Sequence, residues 1–341
     1  MSVFMSFLRF SKVIFFLFLL SACGGGNPLK VDVSSITVPA VKAKRFDHDL
    51  FGILQGDLKA NTKKMLSVYD GFYEGYLNNL NICRGTGDSV YAREIAHFVN
   101  DPSNRQLISE CERTFPDLND IETALRDAFR HYRFYFPNGK LPVPVAGFTS
   151  LNYNMSVYDS LIAFSLEMYL GRDSKLYDMA QVPMFKRITM NRQNIVPDFV
   201  KGWMMNEHPF NANKDDLLSE MIYQGKIIYM IDALLPDVSD TLKIGFTQKQ
   251  LDWCKRNESN MWGFLLKNQL LFSTTAMDIS QFVNEAPFTR GFVKDSPGRT
   301  GVWLGWNIVK SYMKKNPNTS LQQLMQMNDA QAILNLSGYK P

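Results

Sequence analysis

Hydrophobic and polar positions change rhythm along the chain, and each change predicts an element. An unbroken apolar run from Val13 to Leu20 comes first. Residues 29 to 39 then carry β-branched alternation at Val31, Val33, Ile36 and Val38, which predicts an extended lead-in or an edge strand. From Lys59 to Leu80 apolar and aromatic residues, among them Met65, Tyr69, Phe72 and Tyr76, recur at helical spacing. A second helix is predicted from Asn119 to Phe136, where Ile121, Leu125, Phe129, Tyr132 and Phe136 share one face. Asn138-Gly139 ends it with turn chemistry. Between Leu141 and Leu170 the period shortens to two, giving three short strands at hairpin spacing and a small antiparallel sheet mid-chain. Past Ile188 the pattern is helical again, over 195–206, 214–234, 247–256, 257–271, 278–285, 299–315 and 319–335. Pro236, Gly245, Pro287 and Pro297 punctuate these runs. The predicted fold is α+β and mainly α-helical, with the sheet between helical layers in one cooperative unit.

The first apolar run is far shorter than the ~20 residues a helix needs to span a bilayer, so it reads as the core of a signal peptide. Arg9 and Lys12 supply its positive flank. Leu20-Ser21-Ala22-Cys23 then fits a bacterial lipobox, with small residues before a cysteine. The Cys23 thiolate accepts a diacylglyceryl group before the signal is cut, and its freed amino group can take a third, palmitate-type chain. Each buried methylene contributes ~0.8 kcal/mol, so two or three chains make a lasting anchor. Residues 1–22 are therefore the signal, and 23–30 the lipidated Cys23 with a flexible tether through Gly24-Gly25-Gly26. Residues 31–341 form a single periplasmic domain. Gly24, where an Asp would resemble an inner-membrane retention signal, points to the outer membrane with the body facing the periplasm.

Cleavage removes two cations and no acid, taking the formal charge from +4 to +2. That balance, without any basic stripe interleaved with aromatics, argues against nucleic acid as a partner. Aromatic residues make up 13% of the chain and are spread throughout, as core packing requires. Three cysteines remain beyond Cys23. Cys83 and Cys111 flank a loop-rich stretch and either stay free or form a disulfide, which by chain entropy would contribute roughly 3 to 4 kcal/mol. Cys254, beside Trp253 on a helical pattern, reads as a small core hydrophobe.

Catalytic constellations are scarce. The chain has four histidines, His48, His97, His131 and His208, and no His-Glu-x-x-His. No Gly-x-Ser-x-Gly elbow or phosphate loop occurs. His48 reads as part of a solvated turn into a helix, and His131 as a packed or hydrogen-bonded helix residue. Glu220 and Asp232 share one predicted helix but lie about 18 Å apart along it, too far to act together. Gly301 and Gly305, four apart in an apolar helix, mark close helix packing. No cofactor or metal is expected.

Several blocks resemble one family. They include Leu217-Leu218-Ser219-Glu220-Met221-Ile222-Tyr223-Gln224-Gly225-Lys226, Trp253-Cys254 with Asn257-Glu258 and Trp262, and Ala286-Pro287-Phe288. Ser296-Pro297-Gly298-Arg299 leading into Gly301-Val302-Trp303-Leu304-Gly305-Trp306, and the closing Ser337-Gly338-Tyr339-Lys340-Pro341, belong with them. So do Phe46-Asp47-His48-Asp49-Leu50-Phe51 and Met168-Tyr169-Leu170-Gly171 upstream. Together with the lipobox these resemble the GldB-type gliding motility lipoproteins. The resemblance implies a lipoprotein of the gliding or cell-envelope machinery, with envelope protein partners and a non-catalytic binding or assembly role.

A fainter resemblance is to predicted zinc-dependent peptidases, and it implies a degenerate zincin-like fold. On that pattern Pro197 and Lys201 stand at the histidine positions, Asp198 at the general base and Gln224 at the third ligand. Proline, lysine and glutamine cannot bind zinc as imidazole and carboxylate do. The same residues also read as an ordinary helix start, with Pro in the first turn and Asp at the positive end of the dipole. The rival function is a periplasmic hydrolase acting on envelope peptide or glycan.

Overall fold

A computed structural model describes residues 27–341. Cys23 and the signal segment lie outside the described residues. The chain enters without regular structure through residues 29–39, so the β-branched alternation there is a lead-in and not a strand. Strand β1 (Lys44–Arg45) follows and runs directly into α1 (Phe46–Phe51).

The helical run predicted from Lys59 to Leu80 is broken in two, α2 (Leu58–Tyr69) and α3 (Gly71–Asn79). Asp70 between them has φ +47°, a left-handed conformation that costs a non-glycine residue and interrupts the helix. At Gly71, next, a Cβ would meet the hydroxyl end of the half-exposed Tyr158 side chain, which would have to swing aside. The stretch between Cys83 and Cys111, expected to be loop-rich, instead carries α4 (Tyr91–Asn100) and most of α5 (Pro102–Thr114). The start of α5 is well specified: the Asp101 carboxylate accepts from the Ser103 and Asn104 amides, and Pro102 occupies the first turn. Helix α6 (Asn119–Tyr135) matches its predicted span and buries Ile121, Leu125, Phe129 and Tyr132. His131 is buried on it, its Nδ1 3.0 Å from the Asp127 carbonyl.

The sheet is mixed, which corrects the antiparallel expectation. Strands β2 (Val143–Gly147), β3 (Met155–Tyr158) and β4 (Leu161–Ser165) follow each other in sequence, but the spatial order is β1-β2-β4-β3. Only β3 and β4 pair antiparallel, while β4 inserts beside β2 in parallel and β1 adds to the far edge in parallel. The reason is burial. Strands β2 and β4 are nearly all apolar and buried, so they occupy the centre, whereas β3 is half-buried and takes an edge.

Helix α7 (Lys175–Met179) and α8 (Ile195–Glu207) follow, then α9 (Leu217–Leu234), which is buried along almost its whole length. Gly245, at φ +71°, ends the short α10 (Asp240–Ile244) in a left-handed cap. Helices α11 (Gln248–Arg256), α12 (Glu258–Lys267) and α13 (Ala276–Val283) lead to α14 (Thr300–Lys315). The last predicted run divides into α15 (Leu321–Gln326) and α16 (Ala330–Ser337). Each part has its own side-chain N-cap, Ser320 and Asp329, which explains the restart. The core extends from Phe46 to Ile333 as one cluster, with α9 and α14 at its centre. Cys254 is fully buried in it, and burial pushes its thiol up to about 12. No helix among the described residues is long and apolar enough to cross a membrane.

Candidate functional site

Helix α8 presents Asp198, Lys201, Gly202 and Met205 along one stripe, at the i, i+3, i+4 and i+7 spacing of a helix face. That stripe forms one wall of a cavity of about 250 Å³, completed by Asn154 and Met155 at the start of β3, Glu285 after α13 and Arg299 before α14. A second cavity of about 420 Å³ adjoins it and shares Asn154, Thr189, Asp198 and Glu285. Together they make a cleft between the edge strand, α8 and the loops that follow α10 and α13.

Asp198 is held firmly. Its Oδ2 accepts a hydrogen bond from the Tyr169 hydroxyl at 2.9 Å and from Asn154 Nδ2 at 3.2 Å. Asn154 also donates to the Tyr169 oxygen at 3.3 Å, closing a three-residue network. Burial raises the Asp198 pKa above the usual carboxylate range, and Lys201 and the two hydrogen bonds oppose that rise. Lys201 and Arg299 are its cationic neighbours. Burial pushes the Lys201 ammonium down, the Arg299 charge pushes it further, and Asp198 and Glu285 counter. Among the described residues neither cation forms an ion pair with a carboxylate. Both keep part of their surface open to the cleft while lying deep enough to lose hydration.

Arg299 is placed by strain and contact together. Its backbone sits at φ +57°, ψ +31°, a left-handed conformation for a non-glycine residue. Its Nη2 donates to the Ile244 carbonyl at 2.7 Å and its guanidinium lies over the Phe246 ring at 5.4 Å, which fixes the side chain across the end of α10. The preceding Gly298 leaves no room for a side chain, since a Cβ would lie 2.5 Å from the Ala286 oxygen. Thr289 Oγ1 donates to the Pro297 carbonyl at 2.8 Å and accepts from Thr300 Oγ1 at 3.0 Å. The Ala286-Pro287-Phe288 and Ser296-Pro297-Gly298-Arg299 blocks are thus two loops clamped against each other, and they aim Arg299.

The floor near β3 rests on Glu167. Its Oε1 accepts from the Thr149 amide at 2.7 Å, the Thr149 hydroxyl at 2.9 Å and the Leu151 amide at 3.3 Å. Ser150 and Leu151 both have positive φ, so this carboxyl holds a strained loop that lines the cleft. Glu167 Oε2 is buried without a partner among the described residues, and burial pushes the carboxyl up to about 7.

The structure brings Asp198 and Lys201 to the cleft but not Gln224. Gln224 sits on α9, pairs with Glu220 one turn earlier, and lines neither cavity. Among the described residues no group of three or more His, Cys, Asp or Glu side chains has the geometry to hold a metal ion. His208 lies at the end of α8, and its imidazole is pushed down by burial and by Lys226. Asn154, Tyr169, Glu285 and Arg299 are site residues that no sequence motif marks as such. Tyr169 and Arg299 lay inside blocks noted for resemblance, and Arg299 after Gly298 at a helix start was the one signal available.

Cys83 and Cys111 are both free and buried, so the disulfide alternative is not formed. Cys83 Sγ donates to the Gly85 carbonyl at 3.4 Å. Burial raises the pKa of both thiols, as expected of cysteines packed as hydrophobes.

No curated protein and no solved structure matches the chain significantly. The model of a lipoprotein family described as gliding motility protein GldB matches residues 26–341, nearly the whole chain, so the chain belongs to the GldB family.

Proposed function

We propose that this GldB-family protein is a lipid-anchored, periplasm-facing component of the gliding machinery on the outer membrane, and that it works by binding, not turnover. Family membership supports the motility context. The cleft over α8 supports binding, and the observation that carries it is Lys201: a deep ammonium in no close ion pair among the described residues, beside Arg299 and a carboxylate already committed to Tyr169 and Asn154, with Glu285 as the other acid of the cavity. A group so placed selects an occupant bearing negative charge.

The occupant that fits is an extended segment of an envelope protein with a carboxylate to offer. Strand β3 is an edge strand. Ser165 donates its amide to the Asn154 carbonyl at 2.9 Å, so Asn154 faces β4, and alternation turns the Met155 and Val157 backbone groups outward. Such an edge can pair with an added strand whose carboxylate would meet Lys201 and Arg299. Lys201→Ala and Lys201→Glu in the chromosomal copy provide the test. Both variants should accumulate in the membrane fraction at normal level yet abolish gliding. A photo-crosslinker at Met155 should then lose the partner it captures in the parent. Normal gliding in both variants would remove the cleft from function.

A further inference from the structure

A larger cavity, of about 880 Å³, lies where the described chain begins. Its volume is within the ~300–1,000 Å³ typical of small-molecule sites. Leu29, Tyr135, Tyr229, Val238, Met313 and Leu321 give it a mainly apolar lining, and Asn27 and Pro28 stand at its edge. The entering chain is pinned there by two contacts. Tyr135 donates its hydroxyl to the Leu29 carbonyl at 3.1 Å, and Lys30 pairs with Asp237 at 2.5 Å.

Two of the three lysines that line this groove are committed to one carboxylate, and the third, Lys314, is exposed. Lys243 and Lys310 lie 3.0 and 3.8 Å from the buried Asp232, which also accepts from Trp306 Nε1 at 2.7 Å. The site therefore offers mainly apolar surface, with Lys314 as its one lysine outside an ion pair among the described residues. Gly24, Gly25 and Gly26 separate Cys23 from Asn27, four Cα steps with a reach of at most about 14 Å and no side chains to obstruct entry. We propose that this groove holds a fatty-acyl chain of the Cys23 anchor whenever the protein is not seated in a bilayer. The proposal rests on the reading of Cys23 as the lipidated residue. Burying methylenes in the groove replaces their exposure to water, so the anchored protein would stay monomeric between membranes.

The test uses the full lipoprotein from cells fed a palmitate analogue carrying a diazirine. After purification and removal of detergent, irradiation should crosslink the chain on Cys23 to peptides containing Val238, Met313 or Leu321 of the same molecule. Val238→Trp and Met313→Trp, which fill the groove from half-buried positions, should each abolish those crosslinks. Both should turn the detergent-free monomer into aggregate, with unchanged thermal unfolding of the body. Lipid present on Cys23 with crosslinks only between copies, or to co-purified phospholipid, would overturn the proposal and leave the anchor reading intact. Intact mass showing no lipid on Cys23 would overturn both.

Discussion

Gly225 on α9 and Gly305 on α14 meet backbone to backbone: a Cβ on Gly225 would overlap the Gly305 carbonyl, and one on Gly305 would overlap the carbonyl of Met221. Gly301, one turn earlier, is nearly as tight, with a Cβ 2.9 Å from the Phe282 oxygen. The two central helices therefore touch without side chains between them, as the spacing of Gly301 and Gly305 in an apolar helix predicts. Gly305→Ala should lower stability by at least the ~1 to 3 kcal/mol typical of overpacking, and Gly305→Leu by more. Urea unfolding of the purified body measures it; unchanged midpoints would mean the helices can separate freely.

Asp232 should be more costly to remove than its single charge suggests. Lys243 is 3% exposed at the side chain and has Asp232 as its carboxylate partner. Asp232→Ala leaves that ammonium buried and unpaired and frees the Trp306 indole N–H. Breaking a buried pair in this way costs about 3 to 5 kcal/mol. The double variant Asp232→Ala with Lys243→Met should recover much of the loss, because no uncompensated charge remains. Equal stability of single and double variants would contradict this account.

Glu167 should make stability fall as pH rises. Its carboxyl is raised from the ordinary 4.5 to about 7 by burial. Below pH 4.5 folded and unfolded chains both hold the proton. Between 4.5 and 7 the unfolded chain releases it while the folded chain keeps it, so unfolding gains; above 7 the contribution is constant. The span corresponds to about 3 kcal/mol. Glu167→Gln keeps an oxygen for Thr149 and Leu151 and cannot titrate. Its stability, compared with the parent between pH 4 and 8, should lack this downward slope. A parallel pair of curves would refute the assignment.

Cys23→Ala should move the protein from the membrane to the soluble fraction and abolish incorporation of labelled palmitate, since the variant has no other lipobox cysteine. Label retained in the variant would place the lipid elsewhere.

What was legible in the sequence is what depends on neighbours in sequence. Helices α6, α8 and α14 fall within a residue or two of their predicted spans because a periodic apolar face and a turn signal are both local. Asp198 and Lys201 enter through the fainter resemblance to zinc-dependent peptidases, and their spacing of three on α8 puts them on one face. Strand order was not, because β4 slides between β2 and β3, and β1 joins from residues 44–45, far upstream. Helices α4 and α5 fall in the stretch expected to be loop-rich, although Asp101-Pro102 is a readable helix start. Asn154, Glu285 and Arg299 sit at element ends that only the tertiary fold assembles, and Gln224 was misplaced by the pattern borrowed for it.

The glycine contact also sets how the molecule responds to pulling. The tether touches the body at Tyr135, at the end of α6, and at Asp237, just past α9. Helix α14 runs from Arg299 at the cleft to Lys310 at the groove, eleven residues or about 16 Å of axis. Locked against α9 with no side chains to shear, it acts as a strut. A shift of α14 at the groove would therefore arrive at the cleft as displacement of a rod, not as stretching of a spring.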